Sequence, residues 1–454
     1  MVSALPENKT DVNREGMLSM RTVQSIVMIG CLLLPASFSF AAEKAFTLPE
    51  AYQSALRTNE VVGIAREGVT QADAVVDQAR SYLFPRLTAK SSYTRYNEVL
   101  PPSGGFVFQP LDEFLAGMVL TQSIYTGGRT FAAYRTTQTL REVSFRQLTS
   151  AQQDIILSVS QAYYGVLKAG KLVGLSRASL ARMVRHRKVA EREAATRRTK
   201  ANISALLRAN TLVSQAGIIL TRSQDGLRIA RQRLSILTGL PENVDLSEPA
   251  AVQEPAQSFA DLKSLAYESR EDLSSSRLNE KVAAENITIV KGAHYPQAYA
   301  EGALQYKSSD PETLTDGTIY YGGVRLTIPI FEGGLMRAEV AAARSKQRQA
   351  ELATALLRKN IETEVFEAYV NLQTITSVLN TAKQQYSDAK ENFDAVESLF
   401  GQGLASSLAL IDAQQALFLA EREYSVALYD REVAVLQLQR SVGLLGKELL
   451  ANST

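Results

Sequence analysis

Cysteine, histidine and tryptophan are nearly missing from this sequence of 454 residues. It has one cysteine, two histidines (His186 and His294) and no tryptophan. A Cys/His zinc centre needs about four such ligands, so the composition excludes one. No nucleophile, base and orienting residue occur at a recognisable spacing, so we expect neither an enzyme nor a bound cofactor.

An excess of charge of one sign is also lacking. The chain has 49 Lys and Arg against 47 Asp and Glu, a formal net charge of +2. Nucleic-acid-binding domains carry a clear basic excess. We therefore expect no nucleic acid among the partners.

The single cysteine, Cys31, lies in a segment that we expect to be removed. A basic Arg21 precedes the short apolar run 26–34, and Ser39 and Ala41 are small residues suited to a cleavage site. This order is typical of a secretory signal peptide, which we assign to residues 1–41. In a second interpretation Cys31 is a lipid attachment site, but apolar residues follow it where a polar tether is expected. The mature chain then has no cysteine and must be stabilised by packing or oligomerisation.

Proline is absent from two long windows, between Pro110 and Pro241 and after Pro329. Because proline in a helix interior costs about 3 kcal/mol, these windows predict long helices. We place helical hairpins at about 128–238 and 334–445. A proline-rich linker, 241–258, separates them.

The two halves of the chain repeat. SIYTGGRTFAAYR, starting at Ser123, matches PIFEGGLMRAEVA, starting at Pro329, at an offset of 206 residues. We therefore divide the mature chain into a first structural repeat, 42–240, and a second, 259–454.

Apolar residues in the second hairpin recur in alternating steps of four and three. One heptad position is occupied by Val365, Leu372, Leu379, Tyr386, Phe393 and Phe400. This period predicts a left-handed coiled coil. The first hairpin has the same pattern from Ile155 to Met183, and the apolar pattern ends before Arg187. His186 lies within the basic stretch 182–200, so we expect it to be solvated.

Each repeat also contains two predicted strands, at about 86–96 and 114–125 and at about 297–307 and 320–330. In the last, Val324, Leu326, Ile328 and Ile330 share one face. Segments of about ten residues with one apolar face and terminal aromatic residues are typical of transmembrane β-barrels. The candidate aromatic girdle is Phe84, Tyr125, Tyr295 and Phe331. Four strands cannot close a membrane barrel, so an oligomer must supply the others; the alternative is a soluble hairpin that caps a coiled coil.

Together with the pairs Gly127-Gly128 and Gly333-Gly334 and the segment GQGLASSLALIDAQQAL (401–417), this layout resembles the outer-membrane efflux (TolC-like) family of Gram-negative bacteria. The resemblance implies a mainly α fold with a β-barrel part. A homotrimer would form a twelve-stranded transmembrane β-barrel continuous with a periplasmic α-helical barrel. The chain would reside in the outer membrane, in contact with its lipid.

The implied function is a passive exit duct of a tripartite efflux or type I secretion system, which works with a periplasmic adaptor and an inner-membrane transporter. The rival interpretation is a periplasmic coiled-coil scaffold or adaptor-like protein without a pore. Against it, adaptors usually have one helical hairpin and many short strands, whereas this sequence predicts two hairpins and four strands.

By the same resemblance the hairpin turns face the adaptor. The candidate contacts are Gly401, Gly403, Leu404, Ala405, Ser406 and Ser407 in the second turn, and Arg197, Arg198 and Lys200 near the first. Alternatively, the second turn is an ordinary helix–helix turn with an N-capping serine, and the basic residues near the first turn form a solvated helix face.

Asp412 is the candidate aperture residue, since three copies would form an acidic ring that favours cations. Alternatively, Asp412 is simply a carboxylate exposed on the surface of its helix. The family commonly has further acids where this sequence has Ala409 and Ala205, and Thr199 stands in the first turn opposite Gly403. We therefore expect a less acidic aperture than usual.

Overall fold

The computed structural model describes residues 45–99, 107, 109–252, 254 and 257–451. The predicted signal peptide 1–41, including Cys31, lies outside the described residues. The elements of the first repeat are α1 (Leu48–Thr58), α2 (Glu60–Ser81), β1 (Arg86–Arg95), β2 (Asp112–Thr126), α3 (Arg129–Thr196) and α4 (Lys200–Thr238). Those of the second are α5 (Phe259–Ser269), α6 (Glu271–Ala293), β3 (Gln297–Asp310), β4 (Gly317–Thr327), α7 (Leu335–Gly401) and α8 (Ser407–Val442), followed by α9 (Lys447–Ala451).

Each repeat starts with two helices. Asn59 separates α1 from α2 in an extended conformation, and its side chain accepts a hydrogen bond from the Val61 amide at 3.0 Å. One strand differs from the sequence prediction. The strand predicted at 320–330 is β4, which ends at Thr327, so Ile328 and Ile330 lie outside it. Pro329 has no amide hydrogen to donate to a strand ladder, which accounts for the earlier end.

The four strands form one antiparallel sheet in the order β1-β2-β3-β4. Leu120 lies opposite Leu87 on one side and Gly302 on the other, which fixes the face of every residue. One face is apolar and carries Leu87, Ala89, Tyr93, Phe114, Ala116, Met118, Leu120, Ala298, Ala300, Leu304, Tyr306, Tyr320, Val324 and Leu326. The other is mostly polar, with Arg86, Thr88, Lys90, Ser92, Thr94, Glu113, Thr121, Glu301, Gln305, Lys307, Tyr321 and Arg325.

The long helices lie side by side in four tracks. α3 packs against α2 and α4 on one side and against α6 and α8 on the other, and α7 packs against α6 and α8. The C-terminus of α4 meets the end of α1 just before α2, where Ser54 Oγ donates to the Thr238 carbonyl at 2.7 Å. The C-terminus of α8 meets the start of α6, where Arg270 Nη1 donates to the Ser441 carbonyl at 3.1 Å. Two unbroken helices thus alternate with two stacked pairs.

The short helices α1 and α5 pack on these tracks. Tyr52 of α1 and Ser160 of α3 share a hydrogen bond of 2.7 Å, and the Tyr163 hydroxyl donates to the Phe46 carbonyl at 2.7 Å. Leu262 of α5 is buried with Ile361 and other apolar residues of α7 and α8. A third apolar cluster, Phe393, Leu410, Ala413 and Leu417, lies between α7 and α8 near their turn.

The buried side of α3 extends further than the apolar pattern predicts. Beyond Met183 it continues with His186, Ala190 and Ala194, all buried. The buried side of α3 therefore continues past Arg187, beyond the end of the apolar pattern. In this part of α3 the buried residues are one histidine and two alanines rather than large apolar residues.

Candidate functional site: hairpin tips and channel wall

The tip of the second hairpin is built around Gly403. Gly403 has φ +77°, a left-handed conformation that favours glycine, and the Leu404 amide donates to the Leu399 carbonyl at 2.9 Å. Ser406 caps α8 by accepting a hydrogen bond from the Ala409 amide at 3.1 Å. Gly401 is the last residue of α7, so of these two glycines only Gly403 makes the reversal. The side chains of Leu404 and Ser406 are exposed, and Ala405 is half-buried.

The first hairpin turns without glycine. Residues 197–199 connect α3 to α4, and Thr199 accepts a hydrogen bond from the Asn202 amide at 3.2 Å. Asn202 Nδ2 donates to the Arg197 carbonyl at 2.7 Å, so a side chain satisfies this backbone acceptor of the turn. Arg197, Arg198 and Lys200 are all exposed at this tip.

His186 connects the two hairpins, and the sequence prediction that it is solvated is wrong. Its Nε2 lies 2.7 Å from Ser407 Oγ, and its ring lies 6.3 Å from that of Phe400. Burial lowers the pKa of His186, and the charge of Glu193 opposes this more weakly. The imidazole is therefore held neutral at the tip. No signal in the sequence pointed to this contact, because the pattern from Ile155 to Met183 places Arg187, and not His186, at its next position.

Asp412 is exposed on α8 and forms no hydrogen bond or ion pair with any residue that the structure describes. It precedes Leu419 by one heptad, so both side chains lie on one stripe of the helix. Leu419 lines a groove between α3, α4 and α8. Ala205 and Ala409, where acids were expected from the resemblance, are half-buried near the tips.

The four girdle candidates lie at one end of the sheet, where strands meet helices. Thr126, Gln297 and Thr327 are aligned at that end, next to Tyr125, Tyr295 and Phe331. All four aromatic side chains are exposed, from 46% for Tyr295 to 88% for Phe331. Tyr125 lies opposite Ala298 and therefore on the apolar face.

The strand-to-helix connections at this end are tight. Gly127, Gly128, Gly333 and Gly334 all have positive φ. A Cβ on Gly127 would lie only 2.3 Å from the Gly292 carbonyl oxygen, so this position requires glycine. Nearby, both ring nitrogens of His294 contact carboxylates, Nδ1 with Glu332 at 2.7 Å and Nε2 with Glu339 at 3.0 Å. These carboxylates raise the pKa of His294, Glu332 most strongly.

Comparison with known proteins identifies the family. The family model described as "Outer membrane efflux protein" matches residues 51–240 and 262–444, one range within each half of the chain. The chain belongs to this family.

Its relatives include the outer membrane protein TolC of Vibrio cholerae serotype O1, which is 25% identical over 425 residues, with 88% of this chain and 91% of the relative covered. The toluene efflux pump outer membrane protein TtgI of Pseudomonas putida is 25% identical over 408 residues, with coverages of 86% and 83%. The CmeC outer membrane channel of Campylobacter jejuni has the same fold, with a TM-score of 0.78 at 17% identity and coverages of 90% and 89%.

These findings confirm the predicted family, the mainly α fold with a duplicated strand–hairpin unit, and the outer-membrane location. The protein is an outer-membrane channel of the TolC type, and the alternative of a scaffold without a pore finds no support. The fold is consistent with the predicted trimer of twelve strands. The family is one of channels rather than of enzymes.

Proposed function

We propose that three copies of this chain form an exit duct that joins a periplasmic adaptor and an inner-membrane transporter in a tripartite efflux or type I secretion system. The observation that carries this proposal is the sheet, which has one apolar and one polar face and two edge strands with a single partner each. Closed by copies of itself, it would present the apolar face to lipid and the polar face to water.

The edges of the helical layer support the same assembly. α4 and α7 are the outer tracks, and each exposes large apolar side chains: Ile203, Leu207, Ile218, Ile229 and Ile236 on α4, and Leu352, Leu356, Phe366, Val370 and Val378 on α7. Among the described helices, α4 alone is long and apolar enough to cross a membrane. We assign its exposed apolar side chains to a contact with α7 of the next copy.

The adaptor would bind at the tips. Gly401, Gly403, Leu404, Ala405, Ser406 and Ser407 would form the contact of the second hairpin, and the exposed Arg197, Arg198 and Lys200 would attract an acidic adaptor surface. Charge reversal at the three cations should lower the yield of cross-linked adaptor. Unchanged yield would remove them from the interface.

Asp412 would line the aperture. It is exposed and without an ion partner in the described residues, so three copies would present their charges to passing ions. Asp412→Ala should reduce cation selectivity in planar bilayers. Unaltered selectivity and conductance would exclude Asp412 from the constriction.

Phe84, Tyr125, Tyr295 and Phe331 would mark the periplasmic edge of the lipid layer, as aromatic residues do in other membrane barrels. The side chains of all four are exposed at one end of the sheet, and Tyr125 is on its apolar face.

Two matched variants test the assembly. Ile218→Glu places a charge on the α4 edge and should abolish the heat-modifiable trimer on seminative gels. Leu404→Glu places the same charge on an exposed tip residue and should leave the trimer intact while weakening adaptor binding. A monomeric wild-type protein without conductance in lipid bilayers would overturn the proposal.

A further inference from the structure

A groove between α3, α4 and α8 has an unusual charge. It encloses about 730 Å³ and is lined by the cations Lys168, Arg222, Arg233 and Arg422, with no Asp or Glu among the described residues that line it. We call it the basic groove. Four other clefts in the described part of the chain each place carboxylates beside their cations, among them Glu285 with Arg135, Glu339 with Lys346, Glu421 with Lys171 and Glu364 with Arg440.

The cations of the basic groove differ in their partners. Lys168 Nζ donates to Asp430 Oδ1 at 2.7 Å. Arg222, Arg233 and Arg422 form no ion pair or side-chain hydrogen bond with any described residue. Their guanidinium groups are exposed and free to bind an anion from solution.

Two contacts show which of these cations lie at the same position along the helix axes. Lys168 of α3 contacts Asp430 of α8. Ser176 lies eight residues after Lys168 on α3, and Arg422 lies eight residues before Asp430 on α8. Because α3 and α8 run antiparallel, Arg422 lies at about the level of Ser176. Ser176 in turn shares a hydrogen bond of 2.9 Å with Ser223 of α4.

Arg222 precedes Ser223 and therefore lies at the same level as Arg422, on the other side of α3. Arg233 lies eleven residues beyond Arg222 along α4, near the level of Lys168. At 1.5 Å of rise per residue, the groove has two tiers of positive charge separated by about 12 Å. A solute with several anionic groups can contact both tiers at once.

The basic groove faces away from the short helix α1. Tyr163 of α3 is buried in the cluster that contains α1. Gln161 and Gly165, which line the groove, are two residues from Tyr163 in either direction and so lie about 160° from it around the helix. If α1 covers the outside of the duct, the groove opens into its lumen. A Cβ at Gly165 or Gly226 would meet no atom within 4 Å, so the space is open.

We propose that the basic groove is a lumenal binding site for solutes that carry two or more carboxylate, sulfonate or phosphate groups. The inference rests on the proposed duct, in which three copies would bring their unpaired arginines to one stretch of the lumen. Guanidinium groups bind such anions in a bidentate manner, and rings of Arg or Lys favour anions in pores. Asp412 lies ten residues nearer the tip than Arg422, about 15 Å away, so acidic and basic stretches would follow each other along the path.

Inorganic tripolyphosphate is a suitable probe. The test variant is Arg222→Gln/Arg233→Gln/Arg422→Gln, and the matched control is Arg57→Gln/Arg192→Gln/Arg228→Gln, which removes three exposed arginines outside the groove. Calorimetry on the detergent-solubilised trimer should show binding to wild type and control, and an affinity lower by about tenfold or more for the test variant. In bilayers, tripolyphosphate should block the wild-type and control channels but not the test variant. In a KCl gradient, the reversal potential of the test variant should shift in the direction of greater cation selectivity.

The outcomes separate this site from the duct. Equal tripolyphosphate binding by wild type and test variant, or none by wild type, overturns the site even if the channel conducts. Binding that the test variant loses, in a protein that never conducts, supports the site and overturns the duct. A test variant that keeps tripolyphosphate binding but loses adaptor cross-linking would make the groove a protein-docking face and the inference wrong. Should the triple variant fail to assemble, Arg222→Gln and Arg422→Gln are measured singly, and each should weaken binding.

Discussion

His186 in the first hairpin and Ser407 in the second are joined by a hydrogen bond of 2.7 Å between Nε2 and Oγ. Ser407 is the first residue of α8, and Phe400, near the end of α7, packs against the same imidazole. His186 Nδ1 has no hydrogen-bond partner among the described residues. Among the described residues, the imidazole is thus hydrogen-bonded to the second hairpin through Ser407 alone.

Ser407→Ala should loosen the tip of the second hairpin. It removes the partner of a buried imidazole nitrogen, at a cost of about 1–3 kcal/mol. We expect faster hydrogen exchange at residues 399–409, while the exposed Ser204→Ala on α4 should change nothing. Equal exchange in the two variants would show that the hydrogen bond does not stabilise the tip.

Acidification should loosen the same tip. Burial lowers the pKa of His186 below its ordinary 6.5, so once the contact opens the ring binds a proton that the closed form does not. The closed form therefore loses stability as the pH falls through 6.5. Hydrogen exchange at 399–409, corrected for its intrinsic pH dependence, should rise between pH 7.5 and 5.5 in wild type and stay flat in His186→Gln. The same rise in both proteins would assign the effect to other groups.

His294 should show the opposite pH dependence. A carboxylate accepts hydrogen bonds, so bonds from both ring nitrogens to Glu332 and Glu339 require the imidazolium, in accord with its raised pKa. Its contribution to stability is present below pH 6.5 and is lost as the pH rises through the raised value. The temperature at which the trimer dissociates on gels should differ between wild type and His294→Gln more at pH 6 than at pH 9. A difference independent of pH would contradict the assignment.

Gly403→Ala and Gly401→Ala form a matched pair in the second turn. At φ +77° an alanine costs about 1–2 kcal/mol, which corresponds to local opening that is about 5–30 times more frequent. Gly401 is helical, so alanine there should be neutral or stabilising by up to about 1 kcal/mol. Limited proteolysis of the turn should accelerate in Gly403→Ala alone. Acceleration in both variants would mean that flexibility, rather than the left-handed conformation, is what the turn requires.

The features that sequence reasoning predicted are periodic or repeated. The heptad positions from Val365 to Phe400 could be recognised from their spacing along the chain, and the Gly-Gly pairs from their recurrence at an offset of 206 residues. The end of β4 was missed although Pro329 was visible, since alternation of apolar residues continued past it. The role of His186 could not be predicted, because its partner Ser407 is 221 residues away in sequence.

The alternation of unbroken and stacked helices couples their lengths. The single helix α3 runs beside the stacked pair α2 and α4 and also beside the pair α6 and α8, and the single helix α7 runs beside α6 and α8. Seven residues added to α3 without a matching insertion in α4 would make one arm of the hairpin longer than the other, so that the residues packed between them would no longer be aligned. Added to all four arms, they would carry both turns about 10 Å deeper into the periplasm and keep every seam in phase. The reach of such a duct towards the inner membrane can therefore change only in whole heptads, and in both hairpins at once.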